Sequence, residues 1–298
     1  MKNRRLFRVV VLAMTLYATS ATAQTGIDRT IEHDGRVREY RLFVPSDIDS
    51  AQPAPLVFVL HGGGGNGERA ERRSSFNEYA ERDKWIVVYP SAFARNWNDL
   101  RGYDEFPSHR ENVDDVDLIE TLIAELSMEF AIDGQRVFVT GGSNGGMLAH
   151  TIAARLSGKV AAIAPTIALL TRPVAQQLRP SQPVSVLMIN HTGDPLVRWE
   201  GGEGGRSNFV SMEETIGYWT QINGCSSKRT ESAEAIVGEA DDSRVRHTMW
   251  SDCAEGINME LYAIEADVHG PITAILDKQA GRGSGEVIWD FFKRSSRR

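Results

Sequence analysis

The stretch VFVTGGSNGGMLAH, residues 137–150, decides the fold. An apolar run ends in glycines around Ser143, and a run of small residues typical of a helix follows. The segment from Gly141 to Gly145 matches G-x-S-x-G, and the strand before it and the helix after it are the context of a nucleophile elbow. Glycines are needed there because flanking side chains would collide with the neighbouring strand and helix. We therefore predict that Ser143 is held out for attack as a nucleophile.

Outward from this motif, short β-rich apolar runs alternate with amphipathic helical patterns. The strand-like runs are PLVFVLHG (55–62), WIVVYP (85–90), RVFVTGG (136–142), VSVLMIN (184–190) and MELYAIE (259–265). Helical patterns cover residues 116–130, 146–156, 211–222 and 287–295. A hairpin turning at Asp34-Gly35 precedes them. This alternation predicts an α/β fold with a mostly parallel central sheet and helices on both faces.

A serine hydroxyl needs a histidine to remove its proton, and in this architecture the chain order is serine, acid, histidine. Four histidines follow the serine, namely His150, His191, His247 and His269. His150 lies two turns into the elbow helix, His191 falls in the loop of the best acid, and His247 sits in a charged, hairpin-like stretch. His269 follows the last strand-like run, so we predict it to be the base.

The predicted orienting acid is Asp194, which follows the run VSVLMIN and precedes Pro195. That turn would hold the carboxylate towards the edge of the sheet where ligands bind. Four other acids compete with it, namely Asp241, Asp242, Asp252 and Asp267. The first two fall in a charged run typical of a solvated loop, and Asp267 could touch His269 only by folding back.

An oxyanion needs two hydrogen-bond donors, normally the amide after the serine and one from the loop after an earlier strand. Asn144 supplies the first amide, and its side chain is expected to be free to vary. The glycine loop HGGGGN, residues 61–66, supplies the second. Gly63 is the preferred donor, with Gly62 and Gly64 as alternatives. We expect His61 to hold this loop by hydrogen bonds rather than to take a proton.

The first 23 residues have the pattern of an export signal, with basic residues, a short apolar run and the cleavage sequence Ala21-Thr22-Ala23. We predict a signal peptide over 1–23 and a single catalytic domain over 24–298, in a secreted or periplasmic protein; the alternative is an uncleaved anchor. The leader holds four of the 33 basic residues and none of the 40 acidic ones, which leaves a net charge of −11. Such a charge argues against nucleic acid as a partner, and no membrane contact is expected after cleavage.

Two other classes of protein compete with a hydrolase. Gly62, Gly64 and Gly67 match the dinucleotide fingerprint G-x-G-x-x-G, but no acid follows WIVVYP to bind a ribose. A carbohydrate-binding protein on an inactive hydrolase fold is the other alternative. No cofactor is expected. The sequence contains neither an HExxH motif nor a cluster of His and Cys residues at metal-ligand spacing, so metal catalysis is not predicted. The two cysteines, Cys225 and Cys253, are either a disulfide, which export would allow, or two buried thiols.

These pieces together resemble the exported poly(3-hydroxybutyrate) depolymerase-like and feruloyl esterases of carbohydrate esterase family 1 type, within the α/β-hydrolase superfamily. The likeness extends from about residue 38 to the C-terminus. Matching stretches are PLVFVLHGGGGN, WN at 97–98, VDDVDLIETLI, AIDGQRVFVTGGSNGGMLAH, GDPLVRWEGG, NGCS and LYAIEADVH.

The resemblance implies a serine esterase with Ser143 as nucleophile, Asp194 as orienting acid and His269 as base. It also implies a disulfide between Cys225 and Cys253. Feruloyl or acetyl esters of plant polysaccharides and short hydroxyalkanoate esters are the expected substrates, with poly(3-hydroxybutyrate) as the alternative. Solid polymer is less expected, because no linker or binding domain precedes the basic tail KRSSRR.

The sequence departs from the family pattern directly after the proposed base. Family members commonly continue with Trp-Pro, whereas this chain has Gly270-Pro271-Ile272. An aromatic wall of the acyl pocket is therefore expected to be missing. Trp97 or Trp199 is predicted to contact substrate instead, with a packing role as the alternative for each.

Overall fold

A sheet of ten strands organises the part of the chain that the computed structural model describes, which is residues 25–235, 244–272, 275–277 and 281–297. The strands are β1 (Ile27–His33), β2 (Arg36–Phe43), β3 (Ala54–Leu60), β4 (Ile86–Pro90), β5 (Ile132–Gly142), β6 (Ala162–Thr166), β7 (Ser185–His191), β8 (Arg229–Ala235), β9 (Arg244–Trp250) and β10 (Met259–Ile264). The predicted signal peptide, residues 1–23, lies outside the described residues.

The order of strands across the sheet is β1-β2-β4-β3-β5-β6-β7-β10-β9-β8. The six strands from β4 to β10 in this order run parallel, and an antiparallel pair lies at each edge. The predicted hairpin turns at Asp34 and Gly35, whose φ values of 50° and 67° are those of a tight type I′ turn. The sheet is therefore mostly parallel, as the alternation of strand and helix predicted.

Helices cover both faces of this sheet. They are α1 (Gly67–Arg73), α2 (Phe76–Asp83), α3 (Pro107–Arg110), α4 (Asp115–Glu129), α5 (Asn144–Arg155), α6 (Arg172–Gln177), α7 (Met212–Ile222) and α8 (Ser284–Lys293). One hydrophobic layer joins the sheet to α4, α5 and α7, and the other joins it to α2 and α8. A short hairpin of β11 (Ile275–Asp277) and β12 (Arg282–Gly283) precedes α8.

Strand β3 shows how the sequence builds both layers. All seven of its residues are buried. Leu56 and Phe58 point into the layer with α4 and α5, whereas Val57 and Val59 point into the layer with α2 and α8. A strand buried on both faces has to be apolar at successive positions, which is why PLVFVL shows no polar alternation.

Strand β6 is an element that the sequence did not predict. It lies in the middle of the sheet between β5 and β7, although it contains Pro165. Proline cannot donate a hydrogen bond to a neighbouring strand and argues against a central strand. The pairing with β7 accommodates it by omitting Ala164 and Pro165, while Thr166 again pairs with Ile189.

Within the described ranges, no helix is both long enough and apolar enough to cross a membrane.

Candidate active site

Ser143 occupies the sharp turn between β5 and α5. Its backbone has φ 54° and ψ −120°, a conformation that costs free energy for any residue with a side chain. Two backbone hydrogen bonds hold it there: its N–H donates to the Thr166 carbonyl at 2.9 Å, and its own carbonyl accepts from the Met147 N–H at 2.9 Å. The neighbouring strand and the first turn of the helix thus stabilise the strained turn.

The two glycines of the motif are required by close backbone contacts. A Cβ atom on Gly141 would lie 2.8 Å from the Leu60 carbonyl oxygen, and one on Gly145 would lie 2.5 Å from the His61 carbonyl oxygen. Both distances are shorter than a carbon–oxygen contact allows. The elbow therefore packs against the end of β3 and brings the glycine loop beside Ser143.

His269 and Asp194 complete a chain of hydrogen bonds with this serine. The Nε2 atom of His269 lies 2.9 Å from Ser143 Oγ, and its Nδ1 atom lies 2.6 Å from Asp194 Oδ2. Because a carboxylate only accepts, Nδ1 carries the hydrogen and Nε2 is left to accept the hydroxyl proton. Ser143, Asp194 and His269 follow β5, β7 and β10, and because these strands run parallel, all three residues lie at the same edge of the sheet.

The carboxylate of Asp194 is fixed from behind. Its Oδ1 atom accepts the N–H groups of Leu196 at 2.8 Å and Val197 at 2.9 Å, so the turn after β7 binds one oxygen and presents the other to His269. Asp194 is only 3% exposed, whereas the His269 side chain is 17% exposed and lines the cavity. Burial of the acid strengthens its hydrogen bond, and exposure of the base leaves it accessible to substrate.

The competing acids do not occupy this position. Asp267 is exposed, and its Oδ1 atom packs against Gly193, where an added Cβ would fall 1.7 Å away. Asp252 accepts a hydrogen bond from the Ser226 hydroxyl at 3.2 Å. Asp241 and Asp242 lie outside the described residues.

The glycine loop lies against both sides of the elbow. A Cβ on Gly62 would lie 3.8 Å from the Ser143 Cβ, and one on Gly63 would lie 3.9 Å from the Asn144 Cβ. The Gly64 and Gly65 amides already donate, to the carbonyls of Arg95 at 2.8 Å and Gly62 at 3.0 Å. Gly64 is therefore the weakest of the predicted donors, and Gly63 is the one that lies beside Asn144.

His61 holds this loop, as the sequence suggested. Its Nδ1 atom lies 2.8 Å from the Gly62 carbonyl, and its Nε2 atom accepts the Ala92 N–H at 3.0 Å. Burial lowers the pKa of His61 to about 4, so the ring stays neutral with its hydrogen on Nδ1. The ring packs on Trp97 with centroids 4.8 Å apart.

The structure does not bring Trp97 or Trp199, the two predicted substrate contacts, to the cavity. Trp97 is fully buried, and its indole N–H donates to the His61 carbonyl at 2.8 Å. Trp199 is half-buried and packs against the core layer beside α7. Neither is among the described residues that line the cavity at Ser143. The alternative role, packing, fits Trp97, whose ring is fully buried, and Trp199 contacts the core with part of its surface.

The expectation that the Asn144 side chain is free to vary is wrong. It is buried, its Oδ1 accepts the Trp97 N–H at 2.7 Å, and its Nδ2 donates to the Trp97 carbonyl at 3.0 Å and to Asp99 Oδ2 at 2.7 Å. Asp99 is itself paired with Arg101 at 2.6 Å. This network ties the residue after the nucleophile to the loop after β4, and nothing local in the sequence marks it.

The cavity above Ser143 has a volume of about 870 Å³. Pro271 and Ile272 line it where family members commonly carry Trp-Pro. Aromatic side chains nevertheless contribute to its wall from elsewhere in the chain, namely Phe76, Tyr79, Phe106 and Phe209. An aromatic wall is therefore present, built from residues that the sequence did not single out.

The other histidines downstream of the serine have structural positions. His191 is buried at the end of β7 in the loop of Asp194, and His247 on β9 lies 2.9 Å from Glu260 and stacks on Tyr262. His150 is fully buried on α5, and its Nδ1 accepts the Trp219 indole N–H at 3.0 Å. The predicted base is thus the histidine that reaches Ser143.

Acidification should destabilise the fold through His150. Burial lowers its pKa from the ordinary 6.5 to about 3. Between those pH values the unfolded chain binds a proton that the folded chain does not, so the free energy of unfolding falls as pH falls. The loss is at most about 1.4 kcal/mol per pH unit for this group. Urea unfolding at pH 7.5 and pH 5 measures it, with His150→Gln as the comparison because glutamine still offers the indole an acceptor. Equal losses in both proteins would contradict the assignment.

Cys225 and Cys253 form a disulfide, as the family resemblance implied. The bond closes a span of 28 residues that runs from the end of α7 across β8 and β9. It joins the segment after α7 to the segment after β9, and both cysteines pack against the core layer that contains α5 and α7.

The sequence of residues 38–170 matches the family described as "Esterase PHB depolymerase". The protein "Putative esterase NocK" of Nocardia uniformis subsp. tsuyamanensis is 30% identical over 249 residues, which cover 79% of this chain and 70% of that protein. This chain belongs to the PHB depolymerase esterase family. The esterase is also 23% identical to "Feruloyl esterase B" of Piromyces equi. That alignment covers 85% of this chain but only 44% of the longer relative.

Solved structures agree on the fold of this esterase. It superposes on the acetyl xylan esterase from Aspergillus awamori with a TM-score of 0.60 and 14% identity, over 90% of this chain and 100% of the other. A thermostable esterase gives a TM-score of 0.51 at 21% identity, over 66% of this chain and 52% of that one. The α/β-hydrolase fold predicted from the elbow motif is confirmed, and the esterase is a carboxylic ester hydrolase.

Proposed function

We propose that this esterase works by a serine acyl-enzyme mechanism in which Ser143 is the nucleophile, His269 the base and Asp194 the orienting acid. The observation that carries the proposal is the continuous hydrogen-bond chain from Ser143 Oγ through both ring nitrogens of His269 to Asp194. Its direction is the one that catalysis requires, since the serine hydroxyl donates to the ring and the ring donates to the carboxylate.

In the first step, Ser143 Oγ attacks the ester carbonyl carbon while His269 Nε2 takes the hydroxyl proton. The carbonyl oxygen becomes an oxyanion, which the Gly63 and Asn144 amides stabilise by donating hydrogen bonds. The bond to the alcohol then breaks, and His269 returns the proton to the departing alkoxide. The acyl group is left on Ser143, and Asp194 stabilises the imidazolium that forms in between.

In the second step, water replaces the alcohol. His269 Nε2 takes a proton from the water as its oxygen attacks the acyl carbon, and the same two amides hold the second oxyanion. Collapse breaks the bond to Ser143 Oγ, which regains its proton from His269. The products are a carboxylic acid and the free enzyme, and none of these steps uses a cofactor.

For substrates we propose feruloyl or acetyl esters of plant polysaccharides, or short hydroxyalkanoate esters. Support comes from the relatives, which include "Feruloyl esterase B" of Piromyces equi and "Bifunctional acetylxylan esterase/xylanase XynS20E" of Neocallimastix patriciarum. A cavity of about 870 Å³ has room for such an acyl group and part of the alcohol. Depolymerisation of poly(3-hydroxybutyrate) is the second candidate, because the matching family is described as a PHB depolymerase esterase.

We also propose that the protein is exported, to the periplasm or the medium. The disulfide between Cys225 and Cys253 supports this, since such bonds persist in oxidising compartments. N-terminal sequencing of protein recovered from both fractions tests it, because cleavage after Ala23 leaves Gln24 as the first residue.

A substrate panel tests the proposed activity. We expect the purified protein to hydrolyse 4-nitrophenyl acetate and butyrate without added nicotinamide cofactor. Methyl ferulate, acetylated xylan, hydroxybutyrate oligomers and poly(3-hydroxybutyrate) granules assayed side by side then rank the substrate classes by kcat/KM. No hydrolysis of any ester by folded protein would contradict an esterase, and turnover that needs a nicotinamide cofactor would favour the alternative class.

A further inference from the structure

The wall of the catalytic cavity has a charge opposite to that of the whole protein. The chain carries a formal net charge of −7. Among the described residues that line the cavity there are nevertheless four arginines, Arg69, Arg73, Arg101 and Arg206, and no aspartate or glutamate. The lining of the cavity that contains Ser143 is therefore basic, although the protein as a whole is acidic.

One of the four arginines has a structural partner. Arg101 is buried, and its guanidinium pairs with the buried carboxylate of Asp99 at 2.6 Å. It also donates to the Arg206 carbonyl at 3.0 Å, and so fixes the backbone of the short turn that carries Arg206. The charge of Arg101 is neutralised within the protein, so this arginine positions the wall rather than binding a ligand.

The other three arginines are exposed, and within the described ranges no carboxylate pairs with them. Some arginines elsewhere are paired with acids, as Arg155 is with Asp114 at 2.8 Å. Other exposed arginines, such as Arg198 and Arg246, have no carboxylate partner within the described ranges either. What distinguishes the cavity is therefore that its described lining combines exposed arginines with no aspartate or glutamate.

Arg69 and Arg73 come from a different segment of the wall than Arg206. They lie four residues apart on α1, which follows the glycine loop that carries Gly63. Residues at this spacing are neighbours on a helix surface, so two like charges there repel each other. Arg206 lies in the loop between β7 and α7.

An anionic ligand would relieve this repulsion and use these side chains. The guanidinium group binds carboxylates through two parallel hydrogen bonds, and a cleft lined by one sign of charge raises the local concentration of ligands of the other sign. The volume of about 870 Å³ accommodates an ester together with a charged extension.

We propose that the substrate of this site carries a carboxylate in addition to the ester that is hydrolysed. Monoesters of dicarboxylic acids and hydroxy-acid oligoesters that end in a free carboxylate have this chemistry. The inference rests on the proposed serine esterase function and narrows its substrate class. Arg69, Arg73 and Arg206 would act as specificity-determining residues, which bind the second carboxylate and leave the attack by Ser143 unchanged.

Two pairs of esters test this inference, and in each pair one member carries a carboxylate that its partner lacks. With 4-acetoxybenzoate against 4-acetoxybenzamide, the charge is on the alcohol side; with mono-4-nitrophenyl adipate against 4-nitrophenyl hexanoate, it is on the acyl side. At low salt we expect kcat/KM to favour the anionic member of at least one pair by about tenfold, mainly through KM. Because exposed charges are screened, the preference should shrink at about 0.5 M NaCl.

Two variants test whether the cavity arginines cause this preference: the double variant Arg69→Gln/Arg73→Gln and the single variant Arg206→Gln. At least one of them should reduce the preference several-fold, by lowering kcat/KM for the anionic ester more than for the neutral one. Arg246→Gln is the matched control, because Arg246 is an exposed arginine on β9 that does not line the cavity. Equal kcat/KM for both members of both pairs, or a preference that neither cavity variant changes, overturns the inference and leaves the esterase function standing. If the folded protein hydrolyses none of the four esters, the proposed esterase function is contradicted as well.

Discussion

Replacing Ser143 with alanine should lower kcat for ester hydrolysis by about 10⁴-fold or more, with the fold unchanged. The loss is large because no acyl-enzyme can form without the Ser143 hydroxyl, and only the slower direct attack of water on the ester remains. Stability should change little, because alanine keeps the Cβ atom and the same strained backbone at φ 54°. Hydrolysis of 4-nitrophenyl butyrate and the urea midpoint of the same preparation measure the two effects.

Ser127→Ala is the control for this substitution. Ser127 is an exposed helical serine on α4, and its hydroxyl donates only to the Ile123 carbonyl at 2.7 Å. The kcat of the Ser127→Ala variant should stay within twofold of that of the unmodified protein, a change in activation free energy on the order of 0.4 kcal/mol. If the Ser143→Ala variant were folded and kept most of its activity, the nucleophile would have to be another residue.

The proposed catalytic residues could be found in the sequence because their context is local. A strand, a glycine turn around Ser143 and a helix stand next to each other in the chain, and parallel strands end at one edge of the sheet. It follows that a histidine and an acid after later strands can reach the serine, and Asp194 and His269 are placed in this way. The choice among the four downstream histidines needed only the positions of strands and helices.

The side chains of the loop after β4 could not be predicted in the same way. This loop has no helical or strand period, and Ala94, Arg95 and Leu100 all have positive φ values, so spacing says nothing about which way a side chain points. The inward direction of Trp97 depends on Asn144, which lies 47 residues further along the chain. Buried polar networks of this kind are set by tertiary contacts.

Strand β6 was missed for a different reason. Its sequence, AIAPT, has few of the β-branched and aromatic residues typical of strands, and Pro165 argues against a central position. Position in the sheet outweighs these local preferences, because β6 is buried between β5 and β7 and its partners supply most of its contacts. Tertiary burial decided this element where local propensity predicted none.

Replacing Asp194 with asparagine should lower kcat by about 10⁴-fold while KM changes little. The Leu196 and Val197 amides both donate to the Oδ1 position, so the amide oxygen of asparagine would occupy that position. Its NH₂ group would then face His269 Nδ1, which lies 2.6 Å from Oδ2 in the unmodified protein. A donor there forces the ring hydrogen onto Nε2, and a protonated Nε2 cannot take the proton of Ser143. Steady-state kinetics with 4-nitrophenyl butyrate separate kcat from KM.

Asp267→Asn distinguishes this effect of tautomer from a general loss of negative charge. Asp267 precedes the base by two residues and was a rival for the acid, but it is exposed and its carboxylate packs on Gly193 instead of on the ring. Its replacement also removes one negative charge, two residues before His269, and leaves the donors to Asp194 intact, so kcat should fall by less than about threefold. The opposite ranking, with a large loss in Asp267→Asn and a small one in Asp194→Asn, would transfer the orienting role to Asp267. Comparable moderate losses in both variants would mean that the negative charge near His269 matters more than the hydrogen bond to Nδ1.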